Sequence, residues 1–106
     1  MEAALEHSEF SKYLNSNFRV RISDEQTVDA ELVSVTELMV SPRQERFAIV
    51  FRTSNDCFLG QGQRALEHDQ MGKFILFLVP IGRDEKGTSY EAVFNRLVDQ
   101  SSGVSQ

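Results

Sequence analysis

From Phe18 onward the chain alternates apolar and polar residues. Phe18, Val20 and Ile22 alternate with Arg19 and Arg21, a period of two that predicts a half-buried strand. Val28, Ala30 and Leu32 repeat the pattern against Asp29 and Glu31. The polar stretch Ser23-Asp24-Glu25-Gln26 separates the two segments, which together read as a hairpin. After Leu32 the phase slips to Val33 and Val35. A β-bulge or a strong bend explains the slip, because one extra residue moves side chains to the other face.

The same reading continues down the chain. Ser41 to Glu45 is a loop. Phe47, Ile49 and Phe51 alternate with Ala48 and Val50, so both faces are mostly apolar and the strand belongs centrally in a sheet. Ser54-Asn55-Asp56 makes a turn. Phe58 and Leu59 open a short strand in which Gly60-Gln61-Gly62 reads as a bulge or a close backbone approach. Asp69-Gln70-Met71-Gly72 is a turn, and Phe74 to Ile81 is the most hydrophobic strand, with Pro80 near its end. The charged stretch Gly82 to Gly87 is a hairpin loop. In the last strand Tyr90, Ala92 and Phe94 alternate with Glu91, Val93 and Asn95.

Only residues 3–14 carry a helical period. Phe10, Tyr13 and Leu14 share one face, Ser8 is a candidate cap for a shorter helix, and Asn15-Ser16-Asn17 break the pattern. No strand–helix–strand unit follows, which argues against a parallel sheet. The expected fold is mainly β, an antiparallel six- to seven-stranded sandwich or partly open barrel with one short N-terminal helix. Residues 1–100 form a single domain, with the helix at about 3–14 and strands over about 18–98. Residues 101–106 form a disordered tail.

Composition narrows the function classes. Of 106 residues, 41% are hydrophobic and 25% charged, which suits one globular domain; eight phenylalanines and no tryptophan make Phe the main core filler. Eleven basic residues lie scattered among sixteen acidic ones, giving a net charge of −5. No basic stripe forms, so neither nucleic acid nor an anionic membrane is an expected partner. Arg19, Arg21, Arg43, Arg46 and Arg52 are the residues a nucleic-acid surface would need to cluster. Cys57 is the single cysteine, which rules out an intrachain disulfide and a thiolate-rich metal site. MEAALEHSEF has no basic and apolar leader pattern, and the longest apolar run falls far short of a membrane span. The expected location is cytoplasmic.

The candidate chemistry is sparse. Gly60-Gln61-Gly62 is followed by neither a Gly-Lys-Ser/Thr sequence nor a helical period, so it lacks the features of a phosphate loop. Glu67-His68-Asp69 offers a histidine between acids, the residue types of a general base or a metal site. Yet Glu67 and His68 point to opposite faces of a strand, and the only other histidine is His7 in the helix. The alternative is a turn holding a partly exposed histidine. Cys57 has no neighbouring positive charge to lower its pKa and reads as a small, semi-buried residue. In the last strand Glu91 and Asn95 add polar groups to an outward face. If that strand neighbours the first, Glu91 pairs with Arg19 or Arg21. No catalytic residue, metal ligand or cofactor is assigned.

A resemblance covers the chain from about Phe10 to Asn95. It rests on Phe10, Phe18, the Phe47–Phe51 strand, Gln61-Gly62, Leu66-Glu67-His68, Gly72, and the F-L-V-P-I-G and Y-E-A-V-F-N stretches at Phe77–Gly82 and Tyr90–Asn95. This succession resembles a family of small bacterial proteins catalogued as a domain of unknown function. The resemblance implies a bacterial source and one compact domain, and brings no catalytic residues. The strand-rich layout is also loosely similar to accessory proteins of phage-tail-like assemblies. Two readings follow. One is a non-enzymatic β-domain acting through protein–protein contacts, as a homo-oligomer or with a protein partner. The other is a ligand-binding or enzymatic domain with Gln61, Glu67, His68, Tyr90, Glu91 and Asn95 as the candidate polar or interaction residues.

Overall fold

The computed structural model describes residues 6–56 and 58–97. It contains a helix α1 (His7–Lys12) and strands β1 (Asn17–Ser23), β2 (Gln26–Val35), β3 (Met39–Ser41), β4 (Gln44–Thr53), β5 (Gly62–His68), β6 (Gly72–Asp84) and β7 (Gly87–Leu97). All neighbouring strands run antiparallel in the order β2-β1-β5-β6-β7-β4-β3. β2 also pairs with β4, so six strands close into a barrel and β3 is an addition. β3 continues along the edge of β4 that β2 leaves. Thr36 bridges the break: its amide donates to the Ala48 carbonyl at 2.9 Å, and its hydroxyl accepts from the Ala48 amide at 2.8 Å.

The period of two decides which side chains go inside. Phe18, Val20, Ala30, Leu32, Phe47, Ile49, Phe51, Leu66, Leu76, Leu78, Tyr90 and Ala92 are all buried, and they line one continuous core. Each large apolar side chain so buried contributes about 1.5–3 kcal/mol. A barrel of about eight strands is just wide enough for its own side chains to fill. Six strands enclose less, so Phe and Leu occupy the interior.

Helix α1 packs its Phe10 ring against the barrel. That ring is fully buried, with centroids 5.3 Å from Phe94, 6.0 Å from Phe74 and 6.2 Å from Phe47. The helix is six residues long, too short to persist without this packing. Asn15, at φ 71°, turns the chain out of the helix, and its amide donates to the Leu32 carbonyl at 2.7 Å.

Gly87 sits where no other residue fits. Its φ is +148°, and a Cβ there would lie 2.1 Å from the Thr53 carbonyl oxygen. The close approach is across the β4–β7 ladder, where Thr53 pairs with Thr88, and Gly87 also closes the β6–β7 hairpin opposite Asp84. Asp84 Oδ1 accepts from the Lys86 and Gly87 amides, and Asn55 ties the hairpin to the neighbouring loop by accepting from Arg83 and Thr88 and donating to the Asp84 carbonyl.

Several details differ from the pattern-based expectation. The described part of the helix spans six residues, its N-cap is Glu6, and Ser8 lies inside it. Expectations for residues 3–5, Cys57 and the tail fall outside the described residues. The bulge after Leu32 is present, at Leu32/Ser34. None is present at Gly60–Gly62: β5 begins at Gly62 and runs in unbroken register with β6, while Phe58 and Leu59 precede the strand. Pro80 is internal to a strand that continues to Asp84, next to a bulge at Pro80/Gly82. It lies beyond Leu78, the last residue paired with β5, where β6 has no ladder bond left to lose on that side. β3, three residues long, is too short for alternation to mark it.

Candidate functional site

The six candidate residues do not converge on one cavity. Gln61 is exposed in the bend before β5. Glu67 and His68 are consecutive on β5, so one faces out and the other in. Tyr90 is fully buried, and its hydroxyl accepts the Leu59 amide at 2.8 Å. Glu91 and Asn95 lie on the outer face of β7, opposite in orientation to Tyr90 and Ala92.

Glu67 belongs to an ion-pair cluster on the outside of β1 and β5. The register places Arg19 directly opposite Glu67. Arg21 Nη2 donates to Glu67 Oε2 at 2.5 Å, Arg19 Nε lies 3.6 Å from Oε1, and Arg19 Nη2 reaches Asp69 Oδ1 at 3.1 Å. The Arg21 hydrogen bond holds the Glu67 carboxyl below its ordinary range. The expected partner of these arginines, Glu91, is on the wrong strand: β7 neighbours β4 and β6, and β1 neighbours β2 and β5. Glu67 takes the place assigned to it.

His68 is a buried structural histidine, not the partly exposed one expected. Its ring packs on Phe18 at 4.3 Å and Tyr13 at 4.7 Å. Nδ1 accepts from the Gln70 and Met71 amides at 3.1 and 3.3 Å. Ser16 Oγ donates to the Tyr13 carbonyl at 2.5 Å, which leaves it to accept from His68 Nε2 at 3.0 Å. These roles fix the neutral Nε2–H tautomer. Burial pushes the pKa below its ordinary value, opposed by Asp69 and aided by Arg19. Every ring nitrogen is engaged by the fold, so His68 has no free atom for a substrate.

The outer wall of β6, β7, β4 and β3 carries exposed apolar residues outside the candidate set. Ile75, Phe77, Ile81, Val93, Met39 and Val40 are about half exposed or more. A shallow groove of about 290 Å³ lies here, lined by Thr36, Met39, Arg46, Phe47, Ala48, Glu91 and Val93. Glu91 alone of the six candidates borders it. Among the described residues no group of three or more His, Cys, Asp and Glu side chains could hold a metal ion, and no helix is long and apolar enough to cross a membrane.

Together these features define a small antiparallel β-barrel with a packed interior and an apolar outer wall. Residues 5–94 match the family described as a domain of unknown function, DUF6916, and the chain belongs to that family. No curated protein and no solved structure matches it significantly.

Proposed function

We propose that this chain is a non-enzymatic β-barrel domain that works through protein–protein contacts, as a structural or accessory component. The observation that carries this reading is the outer wall of β6 and β7, where Ile75, Phe77, Ile81 and Val93 point to solvent at 49–62% exposure. The outward positions of a solvated antiparallel sheet are ordinarily polar. Several large apolar side chains on one outer wall mark a surface that another protein covers. The buried side chains inside the barrel support the same reading, because they form one continuous apolar cluster.

The rival reading, a ligand or catalytic site around Gln61, Glu67, His68 and Glu91, lacks a shared cavity. Glu67 is held by two arginines, His68 by the fold, and Glu91 stands on another strand. The single cysteine suits a reducing, cytoplasmic setting in a bacterium. A role in a phage-tail-like assembly is the most specific form of the proposal, and strand-rich architecture is its only support.

Site-specific photocrosslinking tests the reading. A benzophenone side chain at Phe77, in the full chain expressed in its native host, should give discrete higher-mass species. The same group at the exposed polar position Asp29 should not. No discrete species from Phe77, or equal labelling from both positions, would overturn the proposal.

A further inference from the structure

We infer that the occupant of the outer wall is a second copy of this chain, joined face to face across a two-fold axis over the Ala48–Val93 pair. The inference rests on the protein-contact reading above and specifies its partner. Its basis is the arrangement of charge around that pair. Around the central pair the outward row of β4 runs Arg46, Ala48, Val50 and Arg52, and that of β7 runs Asn95, Val93, Glu91 and Ser89. Ala48 lies opposite Val93, Arg46 opposite Asn95 and Val50 opposite Glu91. Arg46 and Glu91 are therefore diagonal, each two residues from the central pair on its own strand. They are about 13 Å apart along the strand direction, given a rise of about 3.4 Å per residue.

Neither charge is used inside the chain. Among the described residues, no ion pair and no side-chain hydrogen bond engages Arg46 or Glu91. Both border the same groove, with Val93 and Met39 as its exposed apolar members. Arg46 and Glu91, equally spaced about the Ala48–Val93 centre, form a self-complementary pair. A two-fold axis in the plane of the interface, perpendicular to the line joining them, carries Arg46 of one copy over Glu91 of the other and repeats the pair on the opposite side. Isologous contacts of this kind are the commonest way for identical chains to associate. Val93 then packs at the centre and Met39, paired with Arg46 on β3, flanks the charged contact, while Ile75 and Phe77 on β6 extend it. A heterologous partner would have no reason to meet this particular symmetry.

Light scattering over a protein concentration series, on the full chain, tests the inference. The expected result is a dimer. Arg46→Glu or Glu91→Arg alone should raise the dimer dissociation constant about 10- to 100-fold, because each places two like-charge pairs across the interface. The double variant Arg46→Glu/Glu91→Arg should restore dimerisation, a rescue that general damage to the fold does not produce. Circular dichroism checks folding. Where a reversal unfolds the chain, the neutral variants Arg46→Gln and Glu91→Gln replace it, with an expected loss of about 3- to 10-fold. A monomer at every concentration would overturn the inference, and the photocrosslinks from Phe77 would then report independently on a different protein partner. A dimer indifferent to these charges, or not rescued by the swap, would overturn it equally.

Discussion

Replacing His68 separates a structural histidine from a functional one. His68→Ala removes a ring packed on Phe18 and Tyr13 and leaves the Gln70 and Met71 amides without an acceptor. Orphaned buried donors and the cavity together should lower stability by about 2–4 kcal/mol. His68→Asn is the informative partner. Its Oδ1 falls near the position of Nδ1 and accepts the same amides in an Asx-type turn, recovering about 1–2 kcal/mol of the loss. Urea unfolding followed by far-UV circular dichroism reads both variants.

The pH dependence supplies a second readout with a definite sign. Burial lowers the folded-state pKa of His68, so as pH falls the unfolded chain takes up the proton first. Stability from the neutral ring is therefore complete above the ordinary value of about 6.5 and declines below it until the folded form protonates too. Wild type should lose stability between about pH 7 and the lowered folded pKa, and His68→Asn should lose less. Two results would refute the reasoning. One is equal stability of the Asn and Ala variants. The other is an unchanged pH slope in His68→Asn, which would assign the titration to groups other than His68.

Three further outcomes follow from the packing. Gly87→Ala should destabilise by about 2–5 kcal/mol, combining the collision with Thr53 and backbone strain, and lower the thermal midpoint by ten degrees or more on the usual scale of about 4–8 °C per kcal/mol. An unchanged midpoint would show that the hairpin shifts freely. Tyr90→Phe should cost about 1–3 kcal/mol, because the Leu59 amide loses its acceptor, and amide hydrogen exchange at Leu59 should accelerate. Glu67→Gln should narrow its stability deficit to wild type as pH falls below about 4.5, since the lowered carboxyl pKa stabilises the folded state only above that range; a constant deficit in acid titrations would contradict the Arg21 contact.

Much of the barrel was legible because its inner residues obey a strict period. Phe18 and Val20, Ala30 and Leu32, and Phe47, Ile49 and Phe51 went inside as alternation predicts. The same rule, applied without exception, would have placed His68 inside with Leu66, two residues earlier; the acids on either side suggested a turn instead. Pairing between distant strands was not legible. Arg19 meets Glu67 because β1 abuts β5, and nothing local to either strand encodes that neighbour. The outer wall was hidden for a third reason. Phe74 to Ile81 is apolar at nearly every position, so period alone cannot tell Leu76 and Leu78, which are buried, from Ile75 and Phe77, which are not.

That ambiguity is itself informative about where function resides. A strand needs apolar residues only on the side that faces the core, and β1 meets that rule with Arg19 and Arg21 outward. β6 breaks it with Ile75 and Phe77. Exposed aromatic and branched side chains give the folded monomer little and raise its tendency to associate, which is the ground of the protein-contact proposal. Inside, the six strands enclose one continuous cluster of Phe, Leu and other apolar side chains. The polar groups with the right chemistry, Glu67 and His68, are already committed to Arg21 and to the Asp69–Met71 turn. Arg46 and Glu91 enter no ion pair or side-chain hydrogen bond among the described residues, and they border one groove with Met39 and Val93.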